Sequence, residues 1–179
     1  MRRDLLSRGE RESRRVSARE FREFMAMFPT GVAVVTTVDD LGAPLGMTCS
    51  SLASVTLEPP TLLVCLRSGG ATLNAVLTSS VFAVNLLRDT GRAVAEVFCS
   101  PVSDRFGRVA WHRSPAGLPW ISAGRLAAAD CQVTGHVLVG DHVVVFGEPA
   151  RDDREPGIPL LYGMRAFSVW SGEAAPGAR

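Results

Sequence analysis

Two long β-prone runs, about Leu126 to Val139 and His142 to Pro149, are separated by Gly140-Asp141 alone. A two-residue link carrying glycine closes a tight antiparallel hairpin. Further strand-like runs follow the same rhythm: Val32 to Val38, Thr61 to Leu66, Val81 to Leu87 and Leu160 to Trp170. Turn chemistry at Asp39-Asp40-Leu41-Gly42 joins the first of these to the segment after it. Strands at short intervals, with antiparallel turn signals and brief helices, predict a closed or partly closed barrel rather than alternating βαβ units.

The helical signals are few. Ser17 stands three residues before Glu20 as a capping box, and Phe21, Phe24, Met25 and Phe28 recur at helical spacing. That spacing predicts a first helix with a buried aromatic face, ended by Pro29 and Gly31. Short helices are also expected over about Ala71 to Thr78 and Thr90 to Cys99, with a loop from Ser100 to Ser114. Residues 1–16 are rich in arginine and glutamate and read as a flexible leader; 17–171 form one domain, and 172–179 a flexible tail.

At 179 residues, 46% hydrophobic and 21% charged, the chain supports one core. The net charge is +1 and the basic residues beyond the leader are scattered, so no nucleic-acid footprint is present. All 19 basic residues are arginine. Without lysine, a pyridoxal-phosphate Schiff base, a Walker A loop and a kinase-type lysine site are excluded. Cys49, Cys65, Cys99 and Cys131 form no C-x-x-C pair and gather no histidine, so no metal site is expected. The N-terminus has no apolar signal region and no stretch reaches membrane-spanning length, which predicts a soluble, cytoplasmic protein with reduced cysteines.

Between Pro44 and Pro60 the chain is dense in short hydroxyl side chains, including Thr48, Ser50, Ser51 and Ser54. Hydroxyls and extended backbone N–H groups suit an anion. Period-two alternation sets Thr48 and Ser50 on one face and Met47, Cys49 and Ser51 on the other, so at least one hydroxyl is structural; Cys49 alone reads as small buried filler. Arg67-Ser68-Gly69-Gly70 opens the second helix, whose N-terminus also favours anions. One strand separates the two segments, and a phosphate would bridge them. Asn85 interrupts an apolar strand, and a buried amide there calls for backbone partners.

These segments, preceded by Phe28-Pro29-Thr30-Gly31, resemble in order the flavin reductase-like family over about Phe21 to Ser171. Asp104-Arg105-Phe106, Gly140-Asp141-His142 and Leu161-Tyr162-Gly163-Met164-Arg165 extend the likeness. The resemblance implies a split β-barrel holding FMN or FAD and using NADH or NADPH. It implies that Pro29, Thr30 and Gly31, with Met47, Thr48, Cys49, Ser50 and Ser51, lie along the flavin, and that Ser68 and Thr72 lie near its phosphate. It sets Phe106 among the cofactor-binding residues and His142, near the nicotinamide, as the catalytic residue. It also implies a homodimer, with Tyr162 and Arg165 as pocket-completing or interface residues, and a separate monooxygenase that receives reduced flavin.

Hydride transfer between two such cofactors needs position more than acid–base groups. No G-x-G-x-x-G follows a strand, so a separate Rossmann nicotinamide domain is not expected. The alternatives are a non-catalytic or electron-transferring flavin-binding protein on the same barrel, a pyridoxamine-phosphate oxidase type disfavoured for want of its basic phosphate set, and a purely structural barrel.

Overall fold

The computed structural model describes residues 15–170. Residues 1–14 of the expected leader and the tail 172–179 lie outside the described residues.

Helix α1 (Ala18–Ala26) starts at the expected capping box: the Ser17 hydroxyl accepts from the Glu20 N–H, and the Glu20 carboxylate accepts from the Ser17 N–H at 2.9 Å. After the short β1 (Thr30–Gly31), the β-branched run forms β2 (Ala33–Val38), buried everywhere but its last residue. Asp39 closes the next turn, its Oδ1 accepting from Leu41 and Ala43 N–H at 3.0 and 2.8 Å. The chain returns antiparallel as β3 (Pro44–Cys49), then turns a corner into β4 (Ala53–Leu57) and β5 (Pro60–Arg67). Helix α2 (Ala71–Ser79), β6 (Val81–Leu87) and α3 (Arg92–Cys99) follow. A small hairpin comes next, β7 (Trp111–Arg113) with β8 (Pro119–Ile121). The long pair β9 (Arg125–Val139) and β10 (His142–Arg154) turns at Gly140, whose φ of +60° falls in the region that favours glycine. The last elements are β11 (Leu160–Gly163) and β12 (Ala166–Val169).

Seven strands make one antiparallel sheet in the order β3-β2-β6-β9-β10-β5-β4. Its outer strands β3 and β4 are consecutive in sequence, so the corner at Ser50, Ser51 and Leu52 draws the two edges together. Ladder hydrogen bonds do not join those edges. Ser51 ties the corner at the end of β3 to β5 instead: its hydroxyl donates to the Cys65 carbonyl at 3.1 Å and accepts from the Cys65 N–H at 3.2 Å. This is the expected split β-barrel, mostly β with three short helices and a single domain.

Strand β2 is buried on both faces because each face meets a different core. Ala33 and Val35 point into the barrel with Val64, Leu66, Phe82 and Val145, under the cover of Leu73 and Val76 from α2. Val32 and Val34 point outward into a second core with Leu87, Val94, Phe98, Ile121 and Leu160. Full burial of such a side chain is worth roughly 1.5–3 kcal/mol, so the run anchors both layers. Asn85, fully buried, ties the layers together: its amide donates to the carbonyl of Val34 and the hydroxyl of Thr36, each at 3.1 Å, and its oxygen accepts from the Ile121 N–H at 2.8 Å.

Three sequence expectations are corrected. The aromatic face of α1 is not core: Phe21, Phe24, Met27 and Phe28 are 57–71% exposed, because the helix lies at the rim and no element among the described residues covers them. The last strand is a hairpin, turned by Met164 and Arg165 with φ of 51° and 61° and held by the Met164 N–H on the Ala26 carbonyl at 2.6 Å. The loop from Ser100 to Ser114 contains a short 3-10 turn at Phe106–Arg108 and strand β7, which pairs with β8.

Candidate functional site

Three clefts line up end to end along the seam of the barrel. The largest, about 820 Å³, lies between α1, β1, the Ser50–Ala53 corner and the β11–β12 turn. The middle one, about 420 Å³, shares Ser50 and Tyr162 with it. The third, about 440 Å³, shares Thr48 and Cys99 with the middle one and ends at α2. Together they form a trough of the size that holds small organic ligands.

The middle of the trough is apolar and aromatic. Val32 from the buried strand lines it, as do Tyr162 and Phe167, whose rings pack edge-on at 5.2 Å. Thr48 and Ser50 share its wall, as period-two alternation requires. The Thr48 hydroxyl donates to the Ala95 carbonyl at 2.7 Å and so also fastens β3 to α3. Glu96 and Cys99 reach the same cleft from α3, and Arg92 pairs with Glu96 at 2.8 Å while its guanidinium lies 5.6 Å from the Phe167 ring.

The ends of the trough carry positive charge. Arg22 and Arg165 line the largest cleft, and Arg67 and Arg105 line the third. At the third, α2 begins at Gly70 with no side-chain cap, leaving the N–H groups of its first turn without intrahelical partners. Thr72 is 7% exposed and lines that cleft, and its hydroxyl makes no hydrogen bond among the described residues.

His142 stands opposite Arg67 across the β10–β5 ladder, which puts both on one face at the lip of this cleft. Its Nδ1 lies 2.8 Å from the Asp141 carboxylate. An ionised carboxylate only accepts, so Nδ1 carries the hydrogen and Nε2 remains open to solvent. The hydrogen bond and charge of His142, aided by Arg67, hold the Asp141 carboxyl below the usual carboxylate range. The Asp141 carbonyl accepts from the Ser68 N–H at 2.9 Å and ties the hairpin tip to the turn before α2.

The trough therefore gathers Thr30, Ser50, Ser51, Tyr162 and Arg165 at one end and Met47, Thr48 and Thr72 at the other. Gly31 lies opposite Leu161 in the β1–β11 ladder, and Pro29 packs against Gly163, where a Cβ would stand 3.0 Å from its ring. Ser68 is exposed at the lip. Two residues lie elsewhere. Cys49 is buried in the barrel with its Sγ 3.3 Å from the Ser51 hydroxyl, and burial pushes its thiol pKa up. The Phe106 ring is engaged edge-on by Phe98 at 5.0 Å and Trp111 at 5.3 Å. In that motif Arg105 is the residue that reaches the cleft. Alternation along a strand cannot reveal it, because the residue sits in a folded loop.

Residues 25–171 match the sequence profile of the flavin reductase like domain. The chain belongs to the flavin reductase-like family. It is 51% identical over 165 residues to a flavin reductase (NADPH) of Lentzea aerocolonigenes, covering 92% of this chain and 96% of that one. It is 37% identical over 152 residues to the reductase subunit of a flavin-dependent monooxygenase of Rhodococcus jostii, covering 82% and 75%. Among solved structures it resembles an NADH:FAD oxidoreductase of Streptomyces globisporus in complex with NAD and FAD fragments, with a TM-score of 0.79, 29% identity and coverage of 93% and 100%. Like these family members, the chain is an oxidoreductase on a split barrel. Among the described residues no helix is long and apolar enough to cross a membrane.

Proposed function

We propose that the trough is where a nicotinamide dinucleotide, NADH or NADPH, reduces a flavin, FMN or FAD, and that the reduced flavin passes to a separate flavin-dependent monooxygenase. The observation that carries the reading is the trough itself: an aromatic, apolar middle bounded by Val32, Tyr162 and Phe167, with anion donors at its ends. A flavin supplies the redox chemistry when bound. The residues fit one, since the unpartnered Thr72 hydroxyl, the first turn of α2 and two arginines meet a phosphate while Tyr162 and Phe167 flank a planar ring. Thr48 and Ser50 lie beside that ring and Thr30 beyond it. His142, with its Nε2 free, serves as an acceptor for the N–H of the nicotinamide carboxamide at the lip.

The chemistry asks the chain for position alone: reacting atoms at roughly 3–3.5 Å, with water kept from the ring. The relatives' names support both nucleotides and a monooxygenase partner. A homodimer is supported by the exposed apolar side of α1 together with exposed Met164, Val169 and Trp170, since exposed apolar groups gathered in one patch mark an interaction surface. Residues 17–171 make up the working domain, and four unpaired cysteines suit a cytoplasmic setting.

Anaerobic stopped-flow absorbance at the flavin band tests the reading. Mixing the protein with NADPH or NADH and FMN or FAD should bleach the flavin and turn over an excess of it. If flavin binds and neither nucleotide bleaches it, the reductase reading is overturned and the protein is a flavin carrier.

A further inference from the structure

The charges along the trough are not of one sign. Its two ends hold arginines, but among the described residues Glu96 is the only charged side chain that lines the middle cleft. Helix α3 delivers it from its last turn. That turn carries no basic residue, and Cys99 and Ser100, where the helix ends, line the same cleft. The partial negative charge of a helix C-terminus therefore adds to that of the carboxylate on this wall.

Arg92 orients Glu96 without removing it from the cleft. Its Nε donates to Oε1 at 2.8 Å from one turn back along the helix, while Oε2 makes no hydrogen bond among the described residues. Arg92 does not line the cleft; its guanidinium lies 5.6 Å from the centroid of the Phe167 ring, which does. Of the two charges, the carboxylate is the one that faces the space.

A hydride carries two electrons and one proton from the nicotinamide to a neutral flavin ring, which leaves one negative charge on the flavin and one positive charge on the nicotinamide. A carboxylate on the wall acts unequally on the two flavin states, because it repels the reduced anion and has no net charge to repel on the oxidised ring. The flavin's phosphate is the same in both states, so its contacts at the ends of the trough cancel from the comparison. We infer that Glu96, oriented by Arg92, is a specificity-determining residue that makes the site bind oxidised flavin in preference to reduced flavin, and so favours release of the reduced product. The inference rests on the reading of the trough as a reductase's flavin site and deepens it.

The test is anaerobic equilibrium dialysis of the full chain against FMN and against FAD, each kept oxidised or reduced with dithionite, in buffer above neutrality where the reduced ring is anionic. The wild type should hold the oxidised form more tightly. Glu96→Gln should lower the ratio of reduced to oxidised dissociation constants by roughly three- to tenfold, the effect of one partly solvated charge. In the two-electron potential of the bound flavin this is a rise of about 14–30 mV. Arg92→Gln removes the counter-charge and should move the ratio the opposite way, while Glu96→Asp should keep most of the wild-type ratio. A purely structural role for the pair predicts something else, since both charge-removing variants break the same ion pair and would act in the same direction. The inference is overturned if the wild type holds the reduced form as tightly as the oxidised, if Glu96→Gln leaves the ratio unchanged, or if Glu96→Gln and Arg92→Gln shift it alike. Dithionite stands in for the nucleotide, so a protein that binds flavin but is reduced by neither NADPH nor NADH fails the reductase reading while the ratio still reports on Glu96. A wild type that binds neither flavin in either state overturns both.

Discussion

At the scale of single residues, hydroxyls and amides in this chain divide between holding the barrel and lining the trough. Asn85 belongs to the first group, since removing it strands the Ile121 N–H and the groups on β2 it serves. Asn85→Ala should cost about 3 kcal/mol in urea denaturation, the penalty for several buried groups left unpaired. The cysteines divide as well. Burial, and then the neighbouring Asp130 charge, push the Cys131 thiol up to about 12, whereas Cys99 is exposed on the trough wall. At pH 8 a thiol reagent should therefore modify Cys99 in the native protein and reach Cys131 only on unfolding, a difference that mass mapping reads directly. Asp141 gives the pH test. Its carboxyl is depressed in the fold by His142, so the stability it contributes is present above the ordinary carboxylate pKa of ~3.9 and is lost as pH falls through its lower folded value. Carboxyl NMR should place the Asp141 midpoint below that of the unfolded chain, and His142→Ala should bring it back up.

At the scale of elements, what the sequence made legible was whatever local chemistry dictates. The Ser17–Glu20 box sets the start of α1, the Gly140-Asp141 link sets the β9–β10 turn, and β6 falls on the expected Val81 to Leu87. Ser17→Ala should lower stability by about 1 kcal/mol in thermal melts by releasing that cap. What stayed hidden depends on neighbours. The β11–β12 turn uses methionine and arginine at left-handed positions where glycine or asparagine is the usual signal, and it holds because the Ala26 carbonyl binds Met164. The role of Arg105 depends on where Ser100 and Gly46 carry their carbonyls, far apart in sequence, and no spacing rule reports that. The hydroxyl-rich stretch was visible as chemistry, but its break into β3, a corner and β4 follows from barrel closure through Ser51.

For the whole molecule, the sequence of α1 shows a helical period, but the face that the period marks is exposed rather than core. A stripe of phenylalanines says that something covers it, not what. If the cover is a second copy, Phe24→Glu with Met27→Glu should convert the protein to monomers in light scattering while the barrel keeps its circular dichroism. A wild type that already runs as a monomer would remove that explanation. The same helix and the two residues after it give Met25 and Phe28 to the wall of the largest cleft and leave Phe21, Phe24 and Met27 exposed. If the cleft holds a ligand and a second copy covers the outer face, α1 stands between the two. Free energy that pairing spent on ordering α1 would then be free energy the cleft need not find, and by thermodynamic reciprocity a filled cleft would tighten pairing by the same factor.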